Sequence, residues 1–292
     1  VQPPYLILGA VVLSFLLLQI NQRAASPVIS ILDRWLRWVV FALGAAQICR
    51  DFQLVDRPYW VIAVTSFLLW FIVETLYNWL TISAISVSPQ PLFPRYVLNQ
   101  SGAEWPVQPR LLRIREWLRS QGFHHLQALR AEVGGGIYLR VSVYQDAAAL
   151  VRVEVTFLPQ PNGAIVMCGA LTSIAEDGSR YVTDNSYIPF AGFYPENWLV
   201  ERRPWCRSMA RMLARHRARL AAAGVHPVPF AVEPLADLNA GQHELDCLNT
   251  KLGFLHPHAE RDDFGKITQE GRYRVWKEFW MLKYLGRSSR YQ

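Results

Sequence analysis

The chain has no CxxC pair, no histidine in its apolar first third and no phosphate-cradling glycine loop, and each absence closes off a class of function. Its four cysteines, Cys49, Cys168, Cys206 and Cys247, are scattered. That argues against a disulfide framework and predicts a reducing compartment for the folded part. All seven histidines (His124, His125, His216, His226, His243, His256 and His258) lie outside the apolar segments. Haem held by paired intramembrane histidines is therefore excluded, and any redox role would belong to a partner. There is no GxSxG elbow. The glycines at 134–136 (EVGGGIYL) lead into strand-like sequence rather than a helix, so they read as a flexible turn. The amino terminus lacks a charged n-region and a small-residue cleavage site, which does not suit a secretory signal peptide. Because the chain opens on Val1, a few leading residues are expected ahead of it. No internal repeat or low-complexity tract is visible.

What the chain has in abundance is apolar sequence near its start. Residues 5–20 (YLILGAVVLSFLLLQI) are almost unbroken apolar sequence, and 59–80 (YWVIAVTSFLLWFIVETLYNWL) is enough to cross a ~30 Å hydrocarbon layer. Between them, 35–49 (WLRWVVFALGAAQIC) is a shorter, Trp-flanked stretch. The mean hydropathy of +0.09 averages this third with a polar remainder. The expected fold is an integral membrane protein with three N-terminal transmembrane helices in residues 1–85. A Pro-rich linker at 86–108 and a soluble α+β domain at 109–292 follow. If the middle segment only lies in the interface, two spans remain.

Basic residues orient the spans. The first connection carries Arg23, Arg34 and Arg37 against Asp33, and the second balances Arg50 and Arg57 with Asp51 and Asp56. After the third span, Arg95, Arg110, Arg113, Arg115 and Arg119 face only Glu104 and Glu116. This places the amino terminus outside and the C-terminal domain in the cytoplasm of a multi-pass protein of a bacterial inner membrane. The net charge of +7 fits attraction to anionic lipid head groups, and no recognition motif accompanies it to suggest nucleic acid. Glu74 is the one carboxylate in its apolar run, and an ion pair with Arg37, helped by Asn78, is expected to satisfy it; proton or ion conduction is the alternative. Gly44, Ala45 and Ala46 offer small residues for close helix contact.

The soluble part reads as a helix at 110–121, then strands at 137–144, 150–157, 164–174 and 180–186. The turns QDAAA, PQPNG and EDGS join these strands. This predicts an antiparallel four-stranded meander, covered by the first helix and by another at 204–223. Further helices are expected at 235–252 and at 271–285, where Tyr273, Trp276, Phe279, Trp280 and Lys283 share a stripe.

Three stretches, EDGSRYVTDN (176–185), LARHRARL (213–220) and 248–286 (ending EGRYRVWKEFWMLKYLG), give the soluble domain a family likeness. It resembles bacterial membrane-anchored proteins of unknown function. The resemblance covers most of the soluble domain, not the membrane part; it implies a shared fold and brings no catalytic residues.

Candidate sites are few. His243, Cys247, His256 and His258 give H-x3-C-x8-H-x-H, with the first pair on one helix face, a ligand-compatible arrangement without zinc-finger spacing. Ser173 with His124 or His125 and Asp184 is an imaginable nucleophile–base set. Arg207, Arg211 and Arg215, with Arg219 drifting round the helix, form a basic stripe for lipid head groups or an acidic partner, or simply a solvated face. The aromatic segment at 187–205, with Tyr187, Phe190, Phe193, Tyr194 and Trp198, either folds back as a lid or presents anchors to a partner. No cofactor and no catalytic residue is expected. The favoured function is a non-catalytic accessory or scaffolding subunit of a larger membrane protein complex. The alternatives are an enzyme acting at the inner leaflet and a small transporter or channel component.

Overall fold

The computed structural model describes residues 3–24, 26–102, 105–134, 136–160 and 165–289. The centre of the glycine turn, the turn at 161–164 and Glu104 lie outside the described residues. Three long helices open the chain: α1 (Pro3–Ala24), α2 (Pro27–Asp51) and α3 (Tyr59–Val87). Pro27 starts α2, where its fixed φ suits the first turn and its missing N–H costs nothing. By length and composition α1 and α3 could each cross a membrane, with hydropathies of 1.9 and 1.8 over their apolar stretches. The middle helix, at 25 residues, is longer than the apolar stretch at 35–49 suggests, but Asp33, Arg34 and Arg37 occupy its first three turns. Helices α2 and α3 meet through Trp38 on Phe67 and Phe41 on Trp70, with ring centroids 5.0 and 4.6 Å apart, and Ala42, Ala46, Ile62 and Ser66 are buried within the helices. Gly44 is not the contact: a side chain there would meet nothing within 4 Å.

The folded domain follows as β1 (Arg95–Leu98), α4 (Pro109–Ser120), β2 (Phe123–Gly134), β3 (Ile137–Asp146), β4 (Arg152–Pro159), β5 (Ile165–Ala175) and β6 (Arg180–Asp184). Then come β7 (Trp198–Arg202), α5 (Met209–Ala222), β8 (Pro227–Val228), α6 (Pro234–Lys251), α7 (Arg261–Phe264) and α8 (Gln269–Trp280), which ends in a π-helical turn, Met281–Leu285. The expected meander is the middle of a larger, mixed sheet in the order β1 to β7, with β8 on β5 and β7 parallel to β6. The linker expected at 86–108 is not free. Within it α3 runs on to Val87, β1 pairs with β2, and Trp105 is buried in the main core.

Alternation along the strands separates two faces. Val153, Val155 and Phe157 of β4 join Leu171 of β5 against Leu111 and Leu118 of α4 and Met209, Met212 and Leu213 of α5. Arg152, Glu154 and Thr156 point to the other face, where Leu129, Ala131, Val141 and Val143 pack on Leu235 and Leu238 of α6. Asn239 of α6 clasps the edge strand, donating to the Tyr96 carbonyl at 3.0 Å and accepting from its N–H at 2.9 Å.

Helix α8 does not cover the sheet. It lies along α3, with the Ile267 N–H donating to Ser86 Oγ at 2.9 Å at one end and Trp280 against Phe71 (5.2 Å between rings) at the other. The Phe71, Thr75, Asn78, Ile82, Ser86 stripe of α3 faces it, at helical spacing. Gly271 sits so close to the Phe254 carbonyl that no side chain fits there.

Candidate functional site

Residues suggestive of chemistry fall into three places: the core under α5, the second sheet face, and the junction with the long helices. In the core, Ser173 does meet a histidine, but it is His216 of α5, 3.1 Å from Nε2 to Oγ. Ser173 donates its hydroxyl to the Leu150 carbonyl at 2.7 Å, so its oxygen must accept from His216 Nε2–H. His216 Nδ1 then accepts from Thr183 Oγ1 at 3.0 Å, and that oxygen accepts from Arg219 at 2.8 Å. The chain of bonds holds one neutral tautomer. Ser173, Thr183 and His216 are all fully buried, and burial, with Arg219 and Arg217 adding, pushes the imidazole down to about 4. With its proton committed to a carbonyl and no access, Ser173 is structural. The imagined partners are elsewhere: His125 packs on Tyr144, while Asp184 pairs in register with Ala170 and so faces away from Ser173.

On the second face, Asp184 binds Arg202 at 3.1 Å and accepts from the Ser186 N–H at 2.8 Å. Arg202 also donates to the Tyr194 hydroxyl at 3.2 Å and the Ile188 carbonyl at 3.1 Å. Asp237, in the first turn of α6, holds both Arg152 (2.8 Å) and Arg180. These ions are paired as buried ions must be. The aromatic segment folds back over them. Tyr194 stacks on Trp198, Phe190 lies against Tyr194 and Phe93, and Asn249 clamps Phe193 through its N–H (2.7 Å) and carbonyl (2.9 Å). Tyr187, Phe190, Phe193, Tyr194 and Trp198 are all partly buried, and the packing of Phe190, Phe193, Tyr194 and Trp198 back on the fold is the arrangement a lid would have. Trp198 opens β7, a strand the sequence did not announce.

The metal-ligand set does not assemble. His243 approaches Cys247 at 3.6 Å, but His258 turns to Asp246 at 2.9 Å and His256 to Glu260. Among the described residues no group of three or more His, Cys, Asp or Glu side chains could hold a metal. A cleft of about 420 Å³ does lie beside His243 and His258, and its Arg261 and Lys266 are already bonded, to Asp246 (3.0 Å) and the Ser88 carbonyl (2.5 Å) respectively.

At the junction, Trp38 of α2 is the hub, packed by Phe67, Trp280 and Tyr284 at 5.0, 5.8 and 5.3 Å. The Arg34 guanidinium donates to the Lys283 carbonyl at 2.7 Å, and the Trp35 indole to the Tyr284 carbonyl at 3.1 Å. The expected Glu74–Arg37 pair is not formed. Arg37 takes Asp33, one helical turn before it, at 3.0 Å, and Ser14 of α1 donates to the same carboxylate at 2.6 Å. Glu74 instead accepts from the Trp70 indole at 3.2 Å and meets the Tyr284 hydroxyl. Asn78 helps neither; its amide is buried with no hydrogen-bond partner among the described residues, as are Thr75 Oγ1 and the Trp276 and Trp280 indole nitrogens.

The basic stripe is largely spent within the fold. Arg203, Arg215 and Arg219 converge on Glu201 at 2.5, 3.0 and 3.0 Å. Arg211 is exposed, and Arg207 reaches the carbonyl of Ala24, the last residue of α1. No known protein family matches this chain, and no curated protein or solved structure does either.

Proposed function

We propose that this is a membrane-anchored, non-catalytic accessory subunit of a larger membrane protein complex. In this reading α1, α2 and α3 lie in the lipid of a bacterial inner membrane and the sheet domain sits on the cytoplasmic side. The observation that carries it is the outer surface of the long helices. Tyr5, Trp60 and Leu80 are each 68% exposed, and apolar neighbours surround them along the full length of α1 and α3. Water would not tolerate so large a patch, whereas lipid or a partner's helices would. The folded domain is fastened to that bundle at Arg207–Ala24, Arg34–Lys283 and Ile267–Ser86. Its buried polar groups largely satisfy one another, which suits a rigid adaptor better than an active site. Extraction with alkaline carbonate should leave the chain in the membrane, and mild detergent should release it with a defined larger assembly at fixed stoichiometry. A monodisperse lone monomer from native membranes would overturn the accessory role.

A further inference from the structure

The cleft of about 420 Å³ that metal chemistry leaves unclaimed has three walls. One is the face of α6 that carries Asn239, Gln242, His243 and Asp246 at helical spacing. Residues 91–95, which lead from α3 into β1, form the second, and Leu255, His258, Arg261 and Lys266 the third. The charges around it do not cancel. Asp246 is the sole carboxylate in the lining, and it is spent on Arg261 at 3.0 Å and His258 at 2.9 Å. The Lys266 ammonium has only carbonyl and hydroxyl partners, at Ser88 (2.5 Å to the carbonyl) and Gln90, and burial, then Arg261, lower its pKa. Arg95 is exposed and makes no hydrogen bond or ion pair among the described residues, although Glu132 stands opposite it across the β1–β2 ladder. The Gln242 amide is likewise unbonded there. Under these polar groups Leu92, Phe93 and Leu255 form an apolar floor.

A surplus of positive charge over an apolar floor suits a ligand that is anionic at one end and apolar at the other. We infer that this cleft binds a phosphorylated amphiphile, its phosphate held by Arg95 and Gln242 in the field of Arg261 and Lys266, its apolar part laid on Leu92, Phe93 and Leu255. Phosphate is favoured over carboxylate because a guanidinium fork and an amide offer donors to more than two oxygens. The position favours a lipid as its source. The Ser86 carbonyl accepts from the Lys266 N–H at 2.8 Å, and α3 ends at Val87, so the wall at 91–95 begins within about 13 Å of the helix end. An anionic phospholipid head group would lie at that level. This choice of source rests on the membrane reading above, and the cleft itself does not.

The test uses the full chain in one neutral detergent throughout, so that partition into micelles is common to every titration. Hexyl phosphate, hexanol, inorganic phosphate, short-chain phosphatidylglycerol and short-chain phosphatidylcholine are each titrated, read by thermal shift. Hexyl phosphate and phosphatidylglycerol should stabilise, and the other three should act about tenfold more weakly or not at all. Arg95→Gln should weaken binding about tenfold, and Gln242→Glu, which sets a carboxylate in the cleft, by more. Neither side chain carries a bond within the fold, so both ligand-free variants should melt as the parent does. With that dependence, a response to phosphatidylglycerol alone also supports the site, and a response to hexyl phosphate alone makes its ligand a soluble phosphate ester. No response to either, an equal response to hexanol, inorganic phosphate or phosphatidylcholine, or unchanged affinity in the folded Arg95→Gln and Gln242→Glu proteins overturns the site. Carbonate extraction is read separately: release from membranes with hexyl phosphate binding intact removes the membrane reading and spares the cleft.

Discussion

Lowering the pH should weaken the sheet domain through one residue, His216. An unfolded histidine titrates near 6.5, whereas this one is pushed down to about 4 by burial and by Arg219 and Arg217. Between those values the unfolded chain binds a proton that the folded chain refuses. The His216 contribution is therefore intact above pH 6.5, falls as the pH drops, and stops falling below about 4. At 1.36 kcal/mol per unit the loss is about 3 kcal/mol, a large share of the stability of a domain this size. The assay is urea unfolding in detergent from pH 7.5 to 4, followed by near-ultraviolet circular dichroism, which reports the buried Trp105, Tyr144 and Phe157 cluster. Carboxylates also titrate in this window, so the comparison is with His216→Gln, which keeps a donor and an acceptor but cannot charge. The variant should be less stable at pH 7.5 and should lose about 3 kcal/mol less between pH 6.5 and 4. Equal slopes for the two proteins would refute both the neutral tautomer and the hydrogen-bond chain that fixes it.

Asp237→Asn would leave Arg152 and Arg180 facing each other in a buried place, and should cost about 3–5 kcal/mol in the same unfolding assay. Trp38→Ala removes the hub of the junction, costing about 3–5 kcal/mol; limited proteolysis should then cut at 269–285, a segment expected to resist in the parent protein. Asn78→Leu should act in the opposite sense, stabilising the α3–α8 seam by about 1–3 kcal/mol, since it replaces an unpartnered amide; a lower melting temperature would show the amide to be satisfied. A maleimide should label exposed Cys247 quickly and leave Cys168 untouched, its thiol buried and pushed up to about 11.

The alternation of Val151, Val153, Val155 and Phe157 and of its neighbouring strands made the central meander legible, because period-two patterning needs no tertiary context. Its flanks were silent for physical reasons. β2 (Phe123–Gly134) lacks β-branched residues apart from Val133 and is bulged between His125 and Gln127, so its period breaks. β7 is short and hides in an aromatic segment, and β1 is only four residues long. The aromatic stripe of α8 was visible as a stripe, but such a pattern does not say whether a sheet or two helices will cover it. Likewise Glu74 was legible as a group needing a partner, while Arg37 went to the nearer Asp33. The buried His216 gave no signal, being one histidine among the arginines of an amphipathic helix.

The bond from Ile267 to Ser86 joins residues 181 positions apart, and nearly the whole sheet domain lies between them. In topological terms the domain is an insertion, hemmed at both ends by helices of one bundle. The bundle cannot be completed until residues 269–285 leave the ribosome, so the whole sheet domain must be synthesised before the long helices acquire their final packing. Deleting residues 269–285 would therefore be felt first around Trp38, far away in the sequence.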